Sequence, residues 1–278
     1  MMPAYILWNP DLVITTILGF PLRWYSLCWA IGLVAAYFVV RQLYAHQHIP
    51  QEKFDPLFLY CFFGIIVGAR LGHCLFYEPG YFLNHPVEMI LPIRHTAEGW
   101  KMTGYEGLAS HGGTLGLMAA LWLYVRKYKV NLMRVLDNIA VATPITAFFI
   151  RMGNLFNSEI VGRETDMPWG FIFLRNGETF ARHPAQLYEA IAYLIFFFVG
   201  LWYYRRRPDR AGTGFFFGLC LTLIFCFRFV VEFWKDVQEA FESTMLLNMG
   251  QLLSIPFIVI GLYCLAGGKW CKKLGEKR

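Results

Sequence analysis

Long apolar segments dominate this chain and limit the folds open to it. Hydrophobic residues make up 57% of its 278 residues and charged residues only 16%, against about 25% in soluble domains. A membrane-spanning helix needs roughly 20 apolar residues, and several segments approach that length. They cover residues 25–40, 54–76, 107–125, 135–156, 185–204, 214–234 and 245–266. The sequence predicts one all-α integral membrane domain over residues 1–278, with about seven transmembrane helices.

Basic residues between these segments predict the orientation. They form short clusters such as Arg126-Lys127-Tyr128-Lys129 and Arg205-Arg206-Arg207. Because cytoplasmic loops carry the excess of Lys and Arg, we expect the N-terminus outside and the C-terminus in the cytoplasm. The net charge of +6 is thus accounted for by membrane topology, and we expect no nucleic-acid partner.

Three stretches are predicted to lie outside the bilayer core. Residues 1–20, which contain Trp8, indicate an arm in the membrane interface. Two outer loops, residues 78–106 and 157–184, are longer than a connection requires and predict a small extracytoplasmic cap. Within the second loop, residues 171–174 predict a short strand, followed by a turn at residues 175–177.

The cysteines offer no sign of a metal site. The chain has seven, most of them inside apolar segments, and no pair has the spacing of metal ligands. Buried thiols are the simplest interpretation. We therefore expect no metal site at the cysteines.

A polar stretch begins where the fourth apolar segment should still be crossing the membrane. It contains Arg151, Asn154 and Glu159. A charge at membrane depth costs roughly 2.5 to 3.5 kcal/mol on insertion scales, so Arg151 needs a partner. Asn154 shares a helical face with Arg151, and Glu159 could fold back onto either. A purely structural, self-satisfied cluster remains an alternative.

Two further arginines lie within apolar segments. Arg70 is flanked by small residues that allow close helix contact, and Arg228 is four residues before Glu232, which also suits a simple intrahelical ion pair. In the predicted topology, Arg70, Arg151 and Arg228 all lie in the outer half of their segments. Guanidinium groups bind phosphate bidentately. Together they predict a site for a phospholipid headgroup.

Two histidines stand at predicted helix starts. His111 precedes Gly112-Gly113, where exposed amides and the helix dipole favour an anion, so we expect a catalytic or substrate-binding role for His111. His183 precedes Pro184 at the next such start. Further along that helix, Gln186 and Glu189 share a face, and either could neutralise an arginine. We favour a structural role for these residues.

These motifs, in this order along the chain, resemble the prolipoprotein diacylglyceryl transferases of the bacterial inner membrane. The central match is Arg151-Met152-Gly153-Asn154-Leu155-Phe156-Asn157-Ser158-Glu159 with Gly162. The supporting matches are Arg23-Trp24-Tyr25, Gly68-Ala69-Arg70-Leu71-Gly72, Ser110-His111-Gly112-Gly113, His183-Pro184-Ala185-Gln186-Leu187-Tyr188-Glu189, Arg228-Phe229-Val230-Val231-Glu232-Phe233 and Met249-Gly250-Gln251-Leu252-Leu253-Ser254.

The resemblance implies an activity without metal or cofactor. Such enzymes transfer the diacylglyceryl group of phosphatidylglycerol to the lipobox cysteine thiol of a prolipoprotein signal peptide, releasing glycerol phosphate. The expected catalytic residues are His111 as the base, with Arg151 and Arg228 at the phosphate. The expected phosphatidylglycerol-binding residues are Tyr25, Arg70, His111, Arg151, Asn154, Glu159, Gly162, Arg228 and Glu232.

One departure and two alternatives accompany this interpretation. The family usually continues after Glu232-Phe233 with an aromatic residue, a basic residue and Pro-Asp, whereas this chain reads Trp234-Lys235-Asp236-Val237, which leaves the local turn in doubt. A phospholipid or organic-anion transporter is the first alternative, although the chain shows no inverted repeat. The second is another membrane-embedded transferase with His111 as its nucleophile.

Overall fold

A computed structural model describes residues 5–17, 19–91, 93–96, 99–102, 107–236 and 245–276. Parts of the predicted arm and first cap segment, together with Val237, lie outside the described residues. The chain divides into two compact units, one of residues 1–43 and 133–277, the other of residues 44–132. Each unit is described by itself.

Helices form most of the first unit. They are α1 (Trp24–His46), α6 (Leu132–Asn157), α7 (Ala185–Arg206), α8 (Phe215–Val231), α9 (Met249–Leu265) and α10 (Lys269–Glu276), with the end of α1 and the start of α6 falling in the second unit. The predicted span at residues 25–40 is extended by six residues at its C-terminal end. It does not reach back towards residue 18, because β-structure occupies that stretch.

The second unit is built around two long helices. α2 (Gln51–Phe76) packs against α5 (Ser110–Tyr128), and between them lie the short helices α3 (Pro79–Phe82) and α4 (Pro86–Ile90) and the antiparallel pair β4 (Ile93–Thr96) and β5 (Gly99–Met102). These short elements account for the described part of the first predicted cap segment.

A helix lies in each of the seven predicted spans, but they differ in length and hydropathy. Within the described residues, α1, α2, α6 and α7 are long and apolar enough to cross a membrane. α9 and α10 count as a fifth span if this pair, bent by 67°, is a single crossing, and α8 is a shorter apolar helix. The protein is thus helical with four or five candidate spans, and the full count of seven stays a prediction, as does the orientation of the termini.

Short strands modify the all-α expectation. β1 (Ile6–Trp8) pairs in parallel with β6 (Phe171–Phe173), and β2 (Val13–Ile17) pairs with β3 (Phe20–Arg23). The strand predicted at residues 171–174 is confirmed, and so is the turn after it, because a 3₁₀ turn ends at Gly177 with φ +73°. The predicted arm is therefore tied into the first unit by strand pairing.

Glycines hold α2 and α5 at close range. Gly64, Gly68 and Gly72 on α2 face Gly112 and Gly116 on α5, and a Cβ on any of them would collide with the opposite backbone or Ala120. The predicted use of Gly68 and Gly72 for close helix contact is confirmed. Gly112, at the helix start where we expected an anion to be favoured, lies against the α2 backbone, because the small-residue stripe on α2 packs directly onto it. The anion site stays a prediction.

Candidate functional site

Arg151 lies in the last two turns of α6 and is held on two sides. Its Nη1 donates to Asn154 Oδ1 at 3.1 Å, and its Nε lies 3.1 Å from Glu189 Oε2 on α7. The Glu189 side chain is fully buried and that of Arg151 is 15% exposed. The predicted pairing of Arg151 with Asn154 is present. Glu189 is the carboxylate that offsets the buried charge.

Glu159 does fold back, but onto Asn154. The residues on either side of it, Ser158 and Ile160, both have left-handed backbones, with φ of +56° and +58°. Such conformations are uncommon for residues other than glycine, and they reverse the chain just after α6. Asn154 Nδ2 donates to Glu159 Oε1 at 2.7 Å, and Asn157 Nδ2 reaches the same oxygen at 3.3 Å. Asn154 thus bridges Arg151 and Glu159.

Buried charges of alternating sign continue from Glu189. Lys235 Nζ lies 3.3 Å from Glu189 Oε1 and 2.9 Å from Glu232 Oε1. Glu232 Oε1 in turn lies 3.9 Å from Arg228 Nε. We call the resulting series, Arg151–Glu189–Lys235–Glu232–Arg228, the ion-pair chain. Charges removed from water are tolerated when each has a partner.

Arg228, at one end of the ion-pair chain, is less tightly held than Arg151. Its Nε is buried without a hydrogen-bond partner, and its contact with Glu232 is long at 3.9 Å. The side chain is 37% exposed. Glu232 has closer partners in Lys235 and in Asn248 Nδ2, the latter at 3.1 Å. Arg228 therefore retains donor capacity for an anion.

Gly162 acts through its backbone. The Gly162 N–H donates to His183 O at 2.9 Å. The N–H of the next residue, Arg163, donates to Trp234 O at 2.8 Å. A Cβ on Gly162 would lie 2.6 Å from both His183 O and Trp234 O. Gly162 thus allows the segment that carries Lys235 to pair closely with the segment after α6. No side chain at this position could contribute to a ligand site.

Tyr25 lies at the start of α1, beside α6. A Cβ on Gly153 would be 2.9 Å from the Tyr25 ring, so that glycine makes room for the ring. Tyr25 also lies close enough to Arg151 and Glu159 to interact electrostatically with both charges. Tyr25, Arg151, Asn154, Glu159, Glu232 and Arg228 therefore all lie in the first unit, in or beside the ion-pair chain.

His111 and Arg70 lie in the second unit. His111 is exposed and lines a mostly apolar cavity of about 370 Å³ together with Phe76, Tyr77 and Leu115. The Arg70 guanidinium donates to the carbonyl oxygens of Glu88, Met89 and Gly107 and stacks on Phe82. Arg70 thereby anchors the segment between α2 and α5. The predicted convergence of the three arginines and His111 stays a prediction.

His183 belongs to a polar row at the start of α7. Trp169 Nε1 donates to Tyr188 Oη at 2.8 Å, so Tyr188 has its own proton to donate to His183 Nδ1, 2.9 Å away. Partial burial lowers the pKa of His183, because it disfavours the charged ring. These contacts favour a neutral His183.

The sequence interpretation missed the central position of Lys235. A weak signal was present in the spacing around Glu232. Arg228 lies four residues before Glu232, and Lys235 lies three residues after it, which is ordinary helical spacing. Its second carboxylate, Glu189, is 46 residues away in sequence. Only the tertiary structure brings the two together.

Fold and site define a class: a helical protein with several candidate spans, fitting a multi-pass membrane protein, and a buried chain of ion pairs at the end of α6. The sequence profile of the family described as prolipoprotein diacylglyceryl transferase matches residues 12–266. The chain belongs to this transferase family.

Curated relatives agree with that assignment. The chain is similar to the phosphatidylglycerol–prolipoprotein diacylglyceryl transferase of Bacteroides fragilis, with 60% identity over 92% of both chains. The relative of the same name from Porphyromonas gingivalis is 43% identical over 94% of both chains. The one from Tolumonas auensis is 41% identical over 92% of this chain and 95% of its own length.

Proposed function

We propose that this protein transfers the diacylglyceryl group of phosphatidylglycerol to the lipobox cysteine of a prolipoprotein, in the bacterial inner membrane. The thiolate sulfur attacks the glycerol carbon that bears the phosphate. A C–S thioether bond forms, the C–O bond to phosphate breaks, and glycerol phosphate leaves with the bonding electrons. The thiol proton goes to a base.

The arrangement of Arg228 supports this function most directly. An incompletely paired guanidinium at the end of a buried ion-pair chain suits a monoanionic phosphodiester. Negative charge grows on the leaving phosphate in the transition state, and preorganised cations stabilise it there. Arg228 and Arg151 are the proposed phosphate-binding residues, and Glu232 orients Arg228.

The remaining residues are assigned supporting roles. Asn154 and Glu159 fix the Arg151 side chain, and Tyr25 closes that side of the site. In the second unit, Arg70 shapes the headgroup pocket by anchoring the segment between α2 and α5. His111 is the proposed base, since a thiolate and not a thiol is the nucleophile. Its place on an apolar cavity also suits contact with lipid.

Transfer can be tested with purified protein, phosphatidylglycerol vesicles and a lipobox peptide. We expect equal amounts of lipidated peptide and glycerol phosphate, and neither product with a Cys→Ser peptide. Release of glycerol phosphate at the same rate with the Cys→Ser peptide would exclude transfer to the thiol. An adduct trapped on His111 would favour a covalent mechanism instead.

Arg228→Ala tests the phosphate site in the same assay. Loss of one charge-assisted contact to the leaving group should slow transfer about 100-fold or more. Arg207→Ala is the matched control, because Arg207 is half-exposed and pairs only with Asp209 among the contacts described. Equal activities of the two variants would remove Arg228 from the mechanism.

A further inference from the structure

Lys235 occupies the middle of the ion-pair chain and is 3% exposed. It touches two carboxylates, and each of them faces an arginine on its other side. Burying an ammonium group is costly, so its place between Glu189 and Glu232 calls for an explanation. Two separate Arg–Glu pairs without a lysine would already give each buried charge an opposite partner.

The charge balance supplies that explanation. The ion-pair chain contains three cations and two carboxylates, so it carries one net positive charge. Without Lys235, Glu189 would neutralise Arg151 and Glu232 would neutralise Arg228. The nearby Glu159 is exposed and bonded to amides, so solvent screens its charge more strongly. Lys235 is thus the source of the excess positive charge.

The backbone holds Lys235 firmly in this place. Lys235 pairs with Gly162 in a β-bridge, and Arg163 Nε donates to Lys235 O at 3.0 Å. The next residue, Asp236, accepts from Arg182 Nη1 at 2.7 Å. These contacts fix the chain as far as Asp236, and the rest of the turn left in doubt by the missing Pro-Asp lies outside the described residues.

We propose that Lys235 is a positioning residue that draws the carboxylates of Glu189 and Glu232 away from Arg151 and Arg228, so that both arginines attract the anionic headgroup. This inference rests on the proposed function. It makes Lys235 act on lipid binding through its charge, without touching the substrate.

Three variants separate charge from structure. Lys235→Met keeps the length of the side chain and removes its charge, and Lys235→Arg keeps the charge. The double variant Lys235→Met/Glu189→Gln removes one charge of each sign, which restores the net positive charge and leaves an amide oxygen for Arg151. Each is compared with the wild type for transfer and, by native mass spectrometry, for binding of phosphatidylglycerol against diacylglycerol.

The expected results follow from the charge count. Lys235→Met should raise the KM for phosphatidylglycerol about tenfold and reduce the preference for phosphatidylglycerol over diacylglycerol by a similar factor. Lys235→Arg should stay near the wild type, and the double variant should regain most of the lost preference. Lys235→Met leaves one carboxylate for each arginine and so buries no unpaired charge. If the double variant does not fold because Arg151 has lost its carboxylate, the comparison of Lys235→Met with Lys235→Arg still tests the idea.

The proposal is overturned if Lys235→Met keeps the wild-type lipid preference, or if the double variant is weaker than Lys235→Met. It is also overturned if Lys235→Arg loses the preference as fully as Lys235→Met does. A wild-type protein that prefers phosphatidylglycerol but transfers nothing would refute the proposed function alone. The binding comparison among the variants would still decide the role of Lys235.

Discussion

Arg151 Nε and Glu189 Oε2 lie 3.1 Å apart, with the carboxylate fully buried. Glu189 also accepts hydrogen bonds from Tyr193 Oη and Lys235 Nζ, so one carboxylate serves three partners. Removing a partner from a buried ion pair strands the opposite charge, which costs far more than the pair contributes. The stability of this part of the protein therefore depends on Glu189.

Glu189→Gln should lower the free energy of unfolding by about 3 kcal/mol, because Arg151 and Lys235 lose their shared counter-charge. Glu52→Gln is the control, since Glu52 is an exposed residue in the first turn of α2 and its loss should change stability by less than about 0.5 kcal/mol. Denaturant titrations in detergent micelles measure both. Equal stabilities would show that the ion pair contributes nothing.

Asn154→Asp should reduce transfer about tenfold to 100-fold. Asn154 donates to Glu159 and accepts from Arg151, and each bond to a charged group contributes about 1.5 to 3 kcal/mol. An aspartate would place a second carboxylate against Glu159 and attract Arg151 away from phosphate. Asn157→Asp tests specificity, because its bond to Glu159 is longer at 3.3 Å. Steady-state kinetics should show the smaller defect for Asn157→Asp.

Helical spacing was enough to predict part of the geometry around Arg151. Arg151 and Asn154 share a face because they are three residues apart, and the strand at Phe171 follows from its β-branched and aromatic neighbours. Which of the two residues Glu159 folds back onto could not be predicted, since its position depends on left-handed conformations at Ser158 and Ile160, which no local residue preference favours.

The role of the glycines was only half predictable for a different reason. Small residues allow close approach, but the sequence does not say what approaches. At Gly112 the neighbour is a helix backbone, and at Gly162 it is two loop segments. The second partner of Lys235 was also hidden, because Glu189 lies on α7, 46 residues away in sequence.

Gly116→Ala should destabilise the packing of α2 against α5. Its Cβ would overlap Gly64 O and lie 2.8 Å from Gly68 Cα, and overpacking costs typically about 1 to 3 kcal/mol. Gly200→Ala is a matched control within α7, because a Cβ there meets nothing within 4 Å. Since alanine is the better helix former, Gly200→Ala should match or exceed wild-type thermal stability. A loss of equal size in both variants would exclude specific packing at Gly116.

Acidification should destabilise the protein in part through His183. Burial lowers the pKa of His183 below the ordinary histidine value of 6.5, so the unfolded chain binds the proton more readily than the folded chain. Its contribution is fully present above pH 6.5 and is lost as the pH falls through the folded pKa. His183→Gln should flatten this part of the curve of Tm against pH. An unchanged curve would assign the pH dependence to other groups.

Gly162→Ala should impair transfer although Gly162 offers no side chain to a substrate. The added Cβ would press on His183 O and Trp234 O, each 2.6 Å away, and would force apart the segments whose pairing fixes Lys235. Displacement of Lys235 should raise the KM for phosphatidylglycerol in the same direction as Lys235→Met. Gly80→Ala adds a methyl group where nothing lies within 4 Å and should leave KM unchanged. If Gly162→Ala instead lowers kcat with an unchanged KM, Gly162 does not act through Lys235.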